Sequence, residues 1–402
     1  MFYFTTECIV YLDFLKNNGN REYEAYIDFR TEIDLQLYAS VIGEYEYGEN
    51  NNTYIKLRNL KTNKRLRSKC YYRLNLVALK QYGYLEDQES SYIWRIYDLE
   101  GRQRPIDESD EILQSHSVLE PNELLMTSNN SKELNLSDFS ESRRWKLLVR
   151  NVGQANWNEL LDDDDAPKVV YDLGAPIDAN KNKVNDLFYC RADFFEMNKP
   201  MLIISHWDID HYHCLKNLDV HDIRRFFSKT ICVNAFKSLT SQRVYSKIVN
   251  AIGTNNIYLI NPANRTNGIN MHRCIYHNNF SLYVGEKSSN INYSGLCLFF
   301  RGGYGSVNLT GDLKLSQASD VYRQEIANNL ITQEHILIAP HHGGNNHHRH
   351  RLYLQPTSKV IISVGAGNHY GHPHSLMLRY YLNLSGSNVS RTDLNGDVYD
   401  II

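Results

Sequence analysis

The chain has 402 residues, enough for two domains of ordinary size, and its 42% hydrophobic and 22% charged residues are the composition of a globular protein. A net charge of -3 excludes a large uniform positive field for gripping nucleic acid, so any such binding must use a local patch. Seven cysteines (Cys8, Cys70, Cys190, Cys214, Cys232, Cys274 and Cys297) are odd in number and scattered, which excludes a disulfide framework or zinc-knuckle spacing and suits reduced thiols in a cytoplasmic protein.

The opening MFYFTTECIVYLDFLKNNGNRE has no basic segment ahead of its apolar stretch and does not read as a signal peptide. No run approaches the roughly 18 apolar residues of a bilayer span, so no membrane association is expected. Residues 1–140 read as a mainly β accessory or recognition domain. Within it YIKLRNL, KTNK and RLRSKCYYRLNLVAL predict a hairpin with a short polar turn. Eight basic residues lie between Lys56 and Arg73 with no acidic residue among them: Lys56, Arg58, Lys61, Lys64, Arg65, Arg67, Lys69 and Arg73. Lys56 and Arg58 share strand parity, as do Arg65, Arg67 and Lys69, so each set is expected on one face. Two readings stay open for this ribbon. It is a phosphate-binding surface with Tyr54, Tyr71 and Tyr72 for stacking, or a solvated face that guards an edge strand.

The polar stretch MTSNNSKELNLSDFSESRRW marks the domain boundary. After it, residues 143–402 alternate strands and helices. VVYDLG, MLIIS, SVNLTGD, HILIAP and KVIISVG predict buried strands that end in polar loops, and SQRVYSKIVNAIG predicts a helix. Polar clusters at the C-terminal ends of strands point to an α/β layered fold with its site at one sheet edge.

The sharpest signal is His206-Trp207-Asp208-Ile209-Asp210-His211, directly after MLIIS. Two imidazoles and two carboxylates within six residues, without thiolates, suit Zn²⁺, Mn²⁺ or a similar ion. Asp312 ends LTGD, His341 and His342 end HILIAPHHGG, and His369, His372 and His374 follow in VGAGNHYGHPHS. Nine of the sixteen histidines fall between residues 335 and 374, which concentrates donors in the region of these strand ends.

These motifs resemble the metallo-β-lactamase family, in the HxDxDH form of its ComEC-type domains. VGQANW at 152–157 is similar to that family's opening VGQG strand, and VVYDLG to its IDTG turn. NYSGLCLFF is similar to the ComEC-type NxS strand, and LTGD, PHHGG, the NHYGHPHS stretch and RTDLNGD follow in the family's order. The resemblance implies an αββα sandwich over residues 143–402 that binds two divalent ions, Zn²⁺ or Mn²⁺, with Mg²⁺ also admitted. His206 and Asp208 would hold the first ion. Asp210 and His211 would hold the second with one of His341 and His342, of which His342, next to the glycine, stands where the family ligand usually does. Asp312 would bridge the two ions, and Asp172 would position the ligand loop as a hydrogen-bond acceptor.

Two departures from the family pattern matter. Asn292 stands where many relatives carry a third histidine for the first ion, which favours harder ions. Tyr212, His213 and Cys214 replace the glycines expected after HWDIDH, so His213 is either a further donor or a packed residue.

The resemblance implies a nuclease or phosphodiesterase without a membrane channel. Two ions about 3.5–4 Å apart would lower the pKa of a shared water, which Asp210 or Asp312 would orient. His372 would serve the leaving group. Alternatives are a hydrolase of a small phosphodiester or ester, and a non-catalytic regulator that keeps the fold. Nucleic acid is the expected partner, and a protein partner through the N-terminal domain would fit the effector of a bacterial defence system.

Overall fold

The computed structural model describes residues 7–19, 22–42, 54–61, 66–86, 91–94, 144–264, 270–288, 290–327, 334–345, 352 and 354–402. The chain forms two compact units, residues 1–123 with 236–245, and residues 124–235 with 246–402. The polar boundary stretch, up to residue 143, lies outside the described residues.

In the first unit β1 (Glu7–Gly19) and β2 (Glu22–Phe29) form an antiparallel hairpin. They are followed by helix α1 (Glu32–Ile42), β3 (Tyr54–Lys61), β4 (Cys70–Asn75), helix α2 (Leu76–Tyr82), β5 (Gly83–Glu86) and β6 (Ser91–Trp94). The sheet order is β4-β1-β2-β3-β6-β5. One face carries Val10, Leu12, Ala25, Ile27, Phe29, Ile55 and Leu57 into a core closed by Leu35 and Tyr38 of α1 and by Leu79 of α2. The segment 236–245 belongs to this unit. Leu239 enters the core, the Tyr71 hydroxyl donates to the Lys237 carbonyl at 2.6 Å, and the Thr240 amide donates to Asp28 at 3.0 Å.

The hairpin expected around KTNK is not formed. β3 pairs with β2 and β6, while β4 pairs with the opposite side of β1, so two strands stand between them. The 13-residue β1 offers a longer partly apolar edge than a local turn can, and the Lys69 amide donates to the Leu12 carbonyl at 2.6 Å where the chain crosses over. LVAL, expected to extend the strand, is helical instead.

The basic ribbon changes with this topology. Lys56 pairs with Glu24 of the neighbouring strand at 2.5 Å and lies over the Tyr26 ring. Lys69 pairs with Asp13 at 2.5 Å. Arg58 lies on β3 and is half-buried, whereas Arg67 and Lys69 lie in the loop before β4, so the expected strand parity does not hold for them. Arg65 is outside the described residues.

The second unit is mixed α/β. Its first sheet has the order β12-β11-β10-β9-β8-β7-β20. These strands are β7 (Lys146–Val149), β8 (Asn158–Leu161), β9 (Pro167–Tyr171), β10 (Met201–Ile204), β11 (Lys229–Val233), β12 (Ile257–Ile260) and β20 (Val398–Ile401). β9 to β12 run parallel, joined through helices α3 (Lys181–Asn198), α4 (Ile209–Asn217), α5 (Val220–Phe226) and α6 (Leu239–Ile252), the last of which belongs to the first unit up to Tyr245. Their residues are apolar almost throughout because a parallel sheet is covered on both faces. The second sheet runs β13-β14-β15-β16-β17-β18-β19. It comprises β13 (Met271–Tyr276), β14 (Phe280–Gly285), β15 (Leu296–Arg301), β16 (Ser306–Leu309), β17 (His335–Ile338), β18 (Lys359–Ile362) and β19 (Val389–Arg391). Helices α7 (Leu315–Ala327) and α8 (Ser375–Leu384) set Leu315, Tyr322, Met377 and Tyr381 against Leu337, Val360 and Ile362 of this sheet. A short helix α9 (Thr392–Asn395) precedes β20.

Contacts between interior strands join the two sheets. The Tyr171 hydroxyl donates to the Leu296 carbonyl at 2.8 Å, the Leu296 amide donates to the Ser205 carbonyl at 2.8 Å, and Trp145 packs edge-on against Phe300. The predicted strands and the helix in SQRVYSKIVNAIG are all present. VGQANW is the exception: residues 150–157 form a loop between β7 and β8 rather than a strand, because their polar groups serve the site described below. No described helix is long and apolar enough to cross a membrane.

Candidate metal centre

Four buried strands of the second unit deliver their following loops to one place. β9 runs into Asp172, β10 into Ser205 to Asp208, β16 into Thr310-Gly311-Asp312, and β17 into the turn Pro340–Gly343. Each polar group lies just past the C-terminal end of its strand, where open α/β sheets build sites.

Asp172 is the hub of this arrangement. It is fully buried, with φ at 60°, a left-handed conformation that few non-glycine residues adopt. Its carboxylate accepts from the Ser205 amide (2.7 Å), the Ser205 hydroxyl (2.8 Å), the Asn156 amide group (2.7 Å) and His211 Nδ1 (2.8 Å). His211 therefore carries its proton on Nδ1 and turns Nε2 inward. His342 does the same, donating from Nδ1 to the Ser363 carbonyl at 2.8 Å. The Ser205 hydroxyl, having given its proton to Asp172, accepts from His206 Nδ1 at 3.0 Å. These tautomers are assigned from the hydrogen-bond network. Three imidazoles thus have one nitrogen anchored and one presented, which is how a protein fixes histidine ligands.

The presented atoms converge. His206 Nε2, His211 Nε2, His342 Nε2 and Asp312 Oδ1 are buried and lack a hydrogen-bond partner, as does Asn292 Oδ1 on the far side of an amide whose nitrogen faces Asp312. Each such orphan costs about 1–3 kcal/mol, so the four that converge call for a ligand that satisfies them together. Asp208 occupies the N-cap of α4 in extended backbone but makes no side-chain capping bond, so its carboxylate is not spent on the helix.

Donor spacing supports a cation. His206 Nε2 is 3.4 Å from Asp208 and 4.0 Å from Asp312. His211 Nε2 is 3.2 Å from Asp312 and 4.0 Å from Asp210. His342 Nε2 is 3.4 Å from Asp210 and 3.5 Å from Asp312. Ligand atoms about 2.0–2.2 Å from a tetrahedral ion stand about 3.3–3.6 Å from one another. The groups His206, His211, Asp312 and Asp210, His211, His342 fit this geometry and share His211. The residues present therefore fit divalent ions.

Electrostatics agree with that chemistry. Burial pushes the carboxyls of Asp210 and Asp312 up, but the neighbouring imidazoles outweigh it and hold both below the usual carboxylate range. His211 is raised despite its burial by Asp312, Asp172 and Asp210.

His372 lies beside the centre. Its ring is 5.5 Å from that of His341 and 6.4 Å from that of His342, and its Nδ1 is 3.3 Å from the Gln154 amide. Burial, then the charge of His342 and His341, pushes His372 down to about 3, so it stays neutral. Gly344 permits this closeness, since a Cβ there would stand 2.6 Å from His341 Cδ2 and 2.9 Å from His372 Nε2. Asn292 turns its amide nitrogen toward Asp312 (3.3 Å) and His341 Nδ1 (3.2 Å). His213 is a packed residue, bonded through Nδ1 to the Pro176 carbonyl at 2.9 Å and pushed by burial down to about 4. Sequence reasoning missed Ser205, Asn156, Ser363 and Gln154. Only the position of Ser205 between a buried strand and His206 signalled any of them.

No family model matches the sequence, and a search of curated proteins finds no match. Among solved structures the chain is similar to Tm1679, described as a metal-dependent hydrolase of the β-lactamase superfamily. That likeness has 10% identity and a TM-score of 0.34, over 63% of this chain and 98% of that one. It is also similar to CmlA, a diiron β-hydroxylase from Streptomyces venezuelae, with 10% identity and a TM-score of 0.35, over 65% of this chain and 54% of that one.

Proposed function

We propose that the second unit is a metal-dependent phosphodiesterase acting on nucleic acid, of the ComEC-type branch that its motifs resemble. The observation that carries the reading is the Asp312 carboxylate. Oδ1 faces His211 and His342 while Oδ2 faces His206, which is the arrangement of a carboxylate shared between two ion positions. His206, Asp208, Asp210, His211, Asp312 and His342 would hold two divalent ions, which would supply a water of lowered pKa and neutralise charge on a phosphoryl group.

The chain's own residues do the rest. Asp210 and Asp312, held ionised by their imidazole neighbours, accept hydrogen bonds from an attacking water. Gln154 donates to His372 Nδ1, which leaves the proton on Nε2, so neutral His372 donates a hydrogen bond to the leaving oxygen. Lys314, two residues after Asp312, lies 3.7 Å above the Tyr293 ring and has no acidic partner among the described residues. An unpaired cation so close in sequence to the bridging carboxylate suits an anionic substrate.

A small phosphodiester is the second reading. The pairing of Lys56 with Glu24 and Lys69 with Asp13 removes two charges from the patch expected to grip a polymer. The test is cleavage of single- and double-stranded DNA, of RNA and of bis(p-nitrophenyl) phosphate by zinc- or manganese-loaded protein, with Asp312→Ala as control. Metal-dependent cutting of a polymer supports the proposal. Turnover of the small diester alone favours the second reading, and no turnover of any phosphodiester overturns both.

A further inference from the structure

The sequence leaves open which of the adjacent histidines, His341 or His342, serves the second ion. The two oxygens of Asp312 separate them. Oδ1 lies 3.2 Å from His211 Nε2 and 3.5 Å from His342 Nε2. Oδ2 lies 2.7 Å from His341 Nδ1, 3.3 Å from Asn292 Nδ2 and 4.0 Å from His206 Nε2. His341 and His206 therefore approach one oxygen of Asp312, and His211 and His342 the other. We propose that both histidines are ligands, one for each ion, with His341 Nδ1 supplying the first ion's imidazole that Asn292 does not provide. The inference rests on the two-ion reading above.

Backbone conformation explains how neighbours can serve different ions. His341 and His342 both adopt left-handed φ, 52° and 53°. In a strand, successive side chains point to opposite faces, and in a helix they point away from a common centre. Two left-handed residues in a row curl the turn so that both rings face Asp312, with centroids 6.4 Å apart. Such backbone costs on the order of 1–3 kcal/mol per residue and is kept where the surroundings require it.

Asn292 points the same way. Its Nδ2 is 3.2 Å from His341 Nδ1, and its Oδ1 is buried without a partner. Nitrogen and oxygen of an amide are interchangeable in shape, and assignment follows the network. Turning the amide brings its carbonyl oxygen beside His341 Nδ1 and Asp312 Oδ2, so that three lone pairs meet. That convergence is favourable only with a cation between them. The 2.7 Å contact of His341 with Asp312 is then the proton-bearing form of the same position.

The assignment changes the chemistry of the pair. Each ion now has two imidazoles and two carboxylates: His206, His341, Asp208 and Asp312 for the first, His211, His342, Asp210 and Asp312 for the second. Two imidazoles in each set suit Zn²⁺ over Mg²⁺ at both positions. The deficit that Asn292 suggests in the sequence is removed.

The test is zinc titration of metal-free protein, with bound zinc counted by elemental analysis after gel filtration. His341→Gly is the informative variant, because glycine adopts positive φ without strain and the turn should persist. Wild type is expected to retain two zinc ions. His341→Gly should keep one at wild-type affinity and bind the other at least tenfold more weakly. Cobalt-substituted protein should show the matching loss of one of two visible absorption components. His342→Gly should remove the other ion and leave the component that His341→Gly abolishes. A His341→Gly protein, folded by circular dichroism, that keeps both ions or loses both together overturns the assignment. A wild-type chain that binds no zinc overturns the two-ion reading and the assignment with it.

Discussion

Gly174→Ala tests how the ligand loop is held. Gly174 follows the Asp172 turn, and its amide donates to the Asn156 carbonyl at 2.9 Å. A Cβ on it would stand 1.8 Å from the Asp210 carbonyl oxygen and 2.7 Å from that of Asn156, and both are backbone atoms with no rotamer to retreat into. Real Cβ contacts do not fall below 3.0 Å, so the difference, 3.0 less 1.8, requires about 1.2 Å of movement between Gly174 and Asp210. Metal–ligand distances tolerate about 0.2 Å, several times less. Overpacking of this kind costs about 1–3 kcal/mol in stability. The larger effect should fall on the second ion of the proposed pair, because Asp210 and His211 are its proposed ligands. Displacing a ligand's supports weakens metal binding by about 10–100-fold, and moving the ligand itself should reach at least that range. The assay is zinc competition against a chromophoric chelator, with chemical denaturation alongside. Gly253→Ala is the comparison: its φ of 77° makes alanine strained, but nothing lies within 4 Å of the new Cβ, so stability should drop while zinc affinity stays put. Wild-type zinc affinity in Gly174→Ala would refute the claim that this contact sets the ligand loop.

Asp172→Asn should keep the fold but weaken zinc binding about 10–100-fold, because an amide cannot accept all four hydrogen bonds now converging on the carboxylate; equal affinity in a zinc titration would contradict this. His335 is held neutral by burial, down to about 3, beneath Phe299 and Tyr322. Its folded pKa is depressed below the unfolded value of about 6.5, so the stability it contributes is full above pH 6.5 and lost as pH falls toward 3. Urea unfolding at pH 7 and pH 5 should therefore show about 2 kcal/mol more pH-dependent loss in wild type than in His335→Gln, and parallel losses would refute it. Lys314→Ala should raise KM for a phosphodiester with kcat little changed, since it removes an attraction common to ground and transition states; a fall confined to kcat would place Lys314 in the chemistry instead.

The parts of the centre legible in the sequence are those whose donors are ionisable and sit beside a buried strand. HWDIDH follows MLII, Asp312 follows SVNL, and His341 and His342 follow HILI, so chain proximity and spatial proximity coincide. Asn156, Ser363 and Gln154 were not legible because they are neutral loop residues whose partners lie 16, 21 and 218 positions away. The same limit explains the first unit. YIKLRNL and the strand after KTNK carry the local marks of a hairpin, but their pairing is decided by β1 and β2: Val10 of β1, for one, pairs with Tyr72 of β4, 62 positions later. Parity arguments fail when a residue such as Lys69 leaves the strand for a left-handed turn. Residues 236–245 fold with the first unit for a related reason: the Asp28 carboxylate that receives the Thr240 amide lies 212 positions earlier.

The candidate metal centre is a place where local rules are broken together. Asp172, His341 and His342 hold left-handed φ at 60°, 52° and 53°, and five buried polar atoms near them have no partner. Each departure costs free energy by itself, about 1–3 kcal/mol for a strained residue and about as much for an orphaned atom. The surrounding strands are buried almost throughout and carry that load through packing rather than through the polar groups. Cations that satisfy the inward-facing atoms would return part of it, which couples ion binding to the stability of the same loops. The outward-facing nitrogens are already bonded, to Asp172, Ser205 and the Ser363 carbonyl, so the three imidazoles are oriented without an ion. That division follows from the imidazole ring itself: one nitrogen ties the side chain to the fold, and the other is left to do chemistry.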